Sequence, residues 1–216
     1  DPEHSGRLPI WLETTRRVRA LVGNELAVMG RADQGPFGLL FLLRESQQFL
    51  MDLLEENEAV IKAALEHCAQ AGARFARAQM EAGADLTSIG DAAAGQSVVA
   101  PDMYRRFAQP FERRYRELMG AGALSLHICG KTDKIVEDMA NTNSEALELD
   151  HWNDMETSFA KAGSACIFGN LDPSSVLAQG TPELVMEKSR QIIMAARKAR
   201  ARFVLCPGCT VGANTP

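Results

Sequence analysis

Six short apolar runs, separated by segments of helical periodicity, constrain this chain more than any other feature. They are Glu25–Gly30, Leu86–Ile89, Leu124–Cys129, Ala146–Leu149, Ala165–Phe168 and Arg202–Leu205, the last ending in Cys206. Runs this short, apolar through their length and alternating with helices, belong to a parallel sheet covered on both faces. The expected helices are Leu8–Val22, closed by Gly23; Glu45–Leu54; a long one from an N-cap at Asn57 to about Ala82; Pro101–Met119; Lys131–Ala140; Asp154–Ala162; and Pro182–Ala199 behind a Thr181 cap. Pro36 and Gly38 read as loop punctuation. The fold class is therefore α/β, either doubly wound or a (β/α)8 barrel.

The polar and thiol side chains choose between the two. Asp91, His127, Cys129, Asp150, Asn170 and Cys209 fall at or just past the C-terminal ends of five different runs. In a barrel those ends meet at one mouth, whereas an open sheet binds at a single switch point that draws on about two strands. The barrel is preferred. A complete one needs about 250 residues and eight units, so residues 1–216 read as one partial barrel domain, incomplete at both ends and lacking two strands. The start at Asp1, without a Met, fits a fragment.

Within this frame, a strand repeat of two puts His127 and Cys129 on one face. A distant thiol, Cys209, follows the Pro207-Gly208 turn. One imidazole and two thiols are a donor set for zinc, whose catalytic sites use three protein ligands and keep a fourth position open. Asp91 and Asp150 are the candidate catalytic carboxylates, although each could merely cap a helix or hold a loop. Asn170 and Asp172 are the candidate cofactor-binding pair, with Asp172-Pro173 also readable as a helix start. Cys206 and Cys166 read as core residues. Neighbouring helical positions point about 100° apart, so His67 and Cys68 do not form a joint site. His151 reads as a loop residue and His4 as solvated.

Composition sets exclusions. With 216 residues, 46% hydrophobic and 24% charged, the chain matches an ordinary globular domain. A net charge of −5 without a Lys/Arg block argues against a nucleic-acid partner. No apolar stretch reaches the roughly 18 residues of a membrane span. Five unevenly spaced cysteines suit a reducing cytoplasm better than a disulfide framework. Gly130-Lys131-Thr132 ends like a phosphate loop, but Ser125 stands where that motif requires its first glycine.

Met29-Gly30, Gly83-Ala84-Asp85, Leu126-His127-Ile128-Cys129-Gly130, Gly169-Asn170-Leu171-Asp172-Pro173, Gly180-Thr181-Pro182-Glu183 and Pro207-Gly208-Cys209, in this order, resemble the uroporphyrinogen decarboxylase superfamily. More closely they resemble its zinc-dependent branch of methylcobamide:coenzyme M methyltransferases. The resemblance implies strands three to eight of a (β/α)8 barrel, with zinc on His127, Cys129 and Cys209. It further implies a methylated corrinoid, carried by a corrinoid protein, as methyl donor, and a small thiol such as coenzyme M as acceptor. The decarboxylases hold no such thiols at the matching positions, and their substrate-binding arginines lie in an N-terminal region with no counterpart here. Cys206 departs from the pattern, since an apolar or small residue is usual there. The alternatives are a decarboxylase-like enzyme and a tetrapyrrole- or corrinoid-binding protein without metal. Two unpaired sheet edges would also allow a homo-oligomer.

Overall fold

Each expected run does become a strand, and the six line up in sequence order. The structure, a computed structural model, describes residues 1–55 and 58–216. Among them, in chain order, are α1 (Leu8–Val22), β1 (Met29–Gln34), α2 (Pro36–Leu43), α3 (Ser46–Glu55), α4 (Glu58–Glu81), β2 (Leu86–Gly90), α5 (Pro101–Met103), α6 (Gln109–Met119), β3 (Ala123–Ile128), α7 (Val136–Ala140), β4 (Ala146–Leu149), α8 (Met155–Lys161), β5 (Cys166–Leu171), α9 (Pro182–Ala199) and β6 (Phe203–Pro207). All neighbouring strands pair in parallel in the order β1-β2-β3-β4-β5-β6. This is an open run of βα units as found in a partial (β/α)8 barrel.

Several boundaries differ from the sequence reading, each for a local reason. The first strand begins at Met29 rather than Glu25. The Asp85 carboxylate accepts the Val28 N–H at 2.7 Å and pairs with Arg19, so the preceding residues are spent on this tie and pairing with β2 starts one residue later. Pro36 opens α2 instead of breaking a loop, because proline fits the first helical turn, where its missing N–H is not needed. The expected Pro101–Met119 helix contains a π segment, Tyr104–Ala108, just before Pro110; a proline there removes the donor for the carbonyl four residues back. The Lys131–Ala140 helix shrinks to α7. Asn57, expected as an N-cap, lies outside the described residues.

The two faces of the strands differ. Leu124, Leu126 and Ile128 of β3, with Ile89, Leu147, Leu149 and Ile167 beside them, are fully buried against a helical layer that includes Phe75, Tyr115 and Met119. Burying each such aliphatic side chain contributes about 1.5–3 kcal/mol. The alternate residues Arg31, Ser88, Ser125, His127 and Glu148 share the other face, as the register Arg31↔Ser88↔Ser125 and His127↔Glu148 requires. On β1 to β4 that inner face is polar toward the mouth, which the sequence reading of uniformly apolar strands did not anticipate, while Phe168 and Val204 continue the His127 row on β5 and β6.

Candidate metal centre

His127 is the penultimate residue of β3, and Cys129 follows the strand directly. With one residue between them their side chains leave the same face, and His127 Nε2 stands 3.1 Å from Cys129 Sγ. Nδ1 of the same ring is 3.0 Å from the carbonyl oxygen of Glu148 on β4. A carbonyl only accepts, so Nδ1 carries the proton and Nε2 presents its lone pair to the mouth.

Cys209 arrives from the far end of the sheet. β6 ends at Pro207, and Gly208 donates its N–H to Leu171 at 2.8 Å. Gly208 also presses against the backbone nitrogen of His151, where a Cβ would collide. This close approach carries Cys209 over β4 and β5 until Sγ lies 4.0 Å from Cys129 Sγ and 4.0 Å from His127 Nε2. The three donor atoms all fall within 4.8 Å of one another. A tetrahedral zinc with bonds of about 2.0–2.3 Å spaces its ligands by roughly 3.5–3.8 Å, so the triangle fits such an ion with small adjustments.

The electrostatics favour a cation. Burial, then the neighbouring Cys209 and the Asp150 carboxylate, push the Cys129 thiol up to about 12, while the Arg31 guanidinium pulls the other way. Two thiols this close resist joint ionisation, and a dication at their centre reverses the balance. Asp150 supplies a further anion. One of its oxygens accepts the Gly130 N–H at 2.8 Å; the other is buried and has no hydrogen-bond partner. His151 Nδ1 stands 2.7 Å from that second oxygen but is not aligned to donate to it.

The remaining expected residues divide. Asn170 supports the mouth, donating to the carbonyls of Asp150 at 3.2 Å and Asn153 at 3.1 Å. Asp172 caps the segment Pro173–Ala178, accepting from the N–H groups of Ser174 and Ser175, with His151 Nε2 3.7 Å away. Asp91 is fully buried behind the mouth. Its carboxylate caps α2 through Phe37 and Gly38, and its N–H donates to the His127 carbonyl at 2.7 Å. It also meets the equally buried Glu112, which accepts from the Tyr104 hydroxyl at 2.5 Å. Burial raises both carboxyls above their ordinary values, Asp91 to about 7, and the Asp91 charge makes Glu112 harder still to ionise. Cys206 turns toward the Pro207 carbonyl at 3.3 Å, outside the triangle, its thiol pushed up to about 11 by burial. Cys68 is buried in α4, His67 is exposed, and all five cysteines are free thiols.

Sequence reasoning missed two supporting groups. Asn153 accepts both the N–H and the hydroxyl of Thr132 and donates to the carbonyls of Gly130 and Asp150, locking the loop after Cys129. This is why α7 starts late. Glu112 lies on the apolar stripe of α6 with Phe111, Tyr115 and Met119, a legible sign of a buried acid.

The described residues contain no helix long and apolar enough to cross a membrane. Methylcobamide:CoM methyltransferase MtbA of Methanosarcina acetivorans is 30% identical over 99% of this chain and 61% of its own length. The uroporphyrinogen decarboxylase of Thermus thermophilus is 33% identical over 97% of this chain and 61% of its own. A solved methyltransferase from Methanosarcina mazei superposes with a TM-score of 0.88 at 26% identity, covering 99% of this chain and 62% of that one. The chain thus spans about three-fifths of the length of the relatives it matches. The sequence model of the uroporphyrinogen decarboxylase (URO-D) family matches residues 1–216 throughout, and the chain belongs to that family.

Proposed function

We propose that this chain forms the catalytic part of a zinc-dependent methyltransferase that moves a methyl group from a methylated corrinoid, carried by a corrinoid protein, to a small thiol such as coenzyme M or a related acceptor. The observation that carries this reading is the convergence of His127, Cys129 and Cys209 at the open mouth. Those three residues would hold the zinc. When bound, it supplies the charge that keeps an acceptor thiol as its thiolate near neutral pH, where a free thiol with a pKa of about 8.5 is mostly protonated.

The chain's own residues have separate parts in this scheme. The Glu148 carbonyl fixes the His127 tautomer, and Gly208 delivers Cys209. Asp150 places a carboxylate oxygen without a partner at the mouth. Asn170 and Asp172 hold the β5 side of the mouth, where a donor would approach. Asp91 acts by positioning, through its bond to the His127 backbone and its cap on α2. Free thiols suit a cytoplasmic protein. The domain is read as a partial barrel, and a homo-oligomer is kept as the assembly in this reading.

The test is zinc content with X-ray absorption. One zinc per chain bearing two sulfurs and one nitrogen, gaining a sulfur neighbour at about 2.3 Å when thiol is added, supports the reading. Four protein ligands and no response to any thiol would make the metal structural and end it. A decarboxylase reading, favoured by the Thermus thermophilus relative, predicts uroporphyrinogen turnover that survives metal removal.

A further inference from the structure

Beneath the triangle, the inner face of the sheet carries a chain of polar groups that the mechanism above does not use. Arg31 on β1 donates from Nη1 to Ser88 Oγ on β2 at 2.8 Å, and Ser88 donates to Glu148 Oε1 on β4 at 2.5 Å. The second Glu148 oxygen lies 4.0 Å from Arg31 Nη1. The register places Arg31, Ser88 and Ser125 in one row, and Gly90, His127 and Glu148 in the next row toward the mouth. The Glu148 side chain therefore reaches back beneath His127 to a strand two places away. Arg31 extends upward, its Nη2 2.8 Å from the point where a Cβ on Gly90 would sit. A Cβ at Gly90 would crowd the guanidinium in this position next to the strand of His127. Ser125, fully buried in this row, has a hydroxyl without a partner.

Charge counting gives this floor a purpose. A dication with two thiolates and a neutral imidazole has no net charge. An acceptor thiolate adds one negative charge at a mouth that already holds the Asp150 carboxylate, one of whose oxygens has no partner. An arginine is always protonated and cannot escape by losing its proton. Arg31 Nη2 lies beside Gly90, the register partner of His127, so it is suited to offset that added charge, while Glu148, 4.0 Å from its Nη1, moderates it.

We propose that Arg31, aimed by Ser88 and Glu148, is a charge-compensating positioning residue that sets how tightly the site holds an anionic ligand. This rests on the metal-and-thiol reading above. Two consequences of opposite sign follow. Removing the cation weakens anion binding; neutralising Glu148 frees the cation and strengthens it.

The experiment uses the cobalt-loaded protein, with 2-mercaptoethanol as the anionic probe when bound and imidazole as a probe that binds without adding charge. Visible absorption follows both, and chelator competition measures metal affinity separately. Arg31→Gln is expected to raise the 2-mercaptoethanol dissociation constant about tenfold while leaving imidazole binding and the metal stoichiometry unchanged. Arg31→Lys is expected to restore most of the loss. Glu148→Gln leaves Arg31 in place, so it tests the idea even where Arg31→Gln folds poorly: it is expected to tighten 2-mercaptoethanol severalfold. Equal loss of both probes in Arg31→Gln, or unchanged or weaker thiol binding in Glu148→Gln, overturns the proposal. Failure of the unaltered cobalt protein to respond to any thiol overturns it together with the reading it rests on, and so separates the two failures.

Discussion

The ring of His127 is oriented by the backbone of Glu148: Nδ1 meets that carbonyl at 3.0 Å, which leaves Nε2 3.1 Å from Cys129 Sγ. Because the acceptor is main chain, no side-chain substitution at residue 148 removes this support. The ligand geometry is therefore built into the pairing of β3 with β4.

The choice of ligands makes the first prediction. Cys129→Ser is expected to lower zinc affinity by more than the roughly 10- to 100-fold that follows loss of a supporting hydrogen bond. Cys206→Ser, whose sulfur points at the Pro207 carbonyl, is expected to keep one zinc per chain. Metal analysis after dialysis against a weak chelator measures both. Retention by the Cys209→Ser variant with loss in Cys206→Ser would reverse the assignment of the late ligand.

Gly208 makes the second. An added Cβ would meet the His151 nitrogen and the Asp150 carbonyl carbon, which are main-chain atoms that cannot swing aside. Gly208→Ala is expected to cost about 1–3 kcal/mol of stability from overpacking and to displace Cys209. Urea titration should register the first effect and chelator competition the second. Unchanged metal affinity would show that Cys209 reaches the site without this close approach.

The buried Asp91–Glu112 pair gives a pH dependence with a definite sign. In the folded chain burial raises both carboxyls, so a proton is retained that the unfolded chain releases near pH 4, the ordinary range of Asp and Glu. The folded state binds more protons above that point, so stability is full below it and falls as pH rises through the raised folded value. Glu112→Gln supplies a permanent amide donor to Asp91 and an acceptor to Tyr104 in the same shape. It is expected to flatten the decline between about pH 5 and pH 8. Parallel slopes for both proteins in urea melts across that range would show that the pair ionises without cost.

Asn153 tests the loop lock. Asn153→Ala strips the buried Thr132 N–H of its acceptor at 2.7 Å, and an unsatisfied buried group costs about 1–3 kcal/mol. The loop from Gly130 to Ile135 should then exchange its amide hydrogens faster, while the β3 amides keep their protection. Equal protection in the loop would mean that another group supplies the bond.

Much of this molecule was legible in the chain itself. Helices α1 and α9 begin and end where their apolar spacing, Gly23, Thr181 and Pro182 place them, because these are local effects of caps and backbone freedom. The spacing of His127 and Cys129 also fixed their common face, since a strand repeats every two residues whatever surrounds it. The barrel-mouth placement of Asp150, Asn170 and Cys209 followed from their positions at or just past strand ends, Asn170 being the penultimate residue of β5.

What local reasoning could not reach depended on atoms distant in sequence. Asp85 decides where β1 begins by binding Val28 across 57 residues. Asp91, which reads like a mouth residue, is drawn inward by the N-terminus of α2 and by Glu112. The 4.0 Å approach of Cys209 to Cys129 spans 80 residues and relies on a glycine packed against another loop. A sequence displays which groups can donate, accept or ligate; which of them meet is settled by the register and curvature of the whole sheet, through the contacts that only folding brings together.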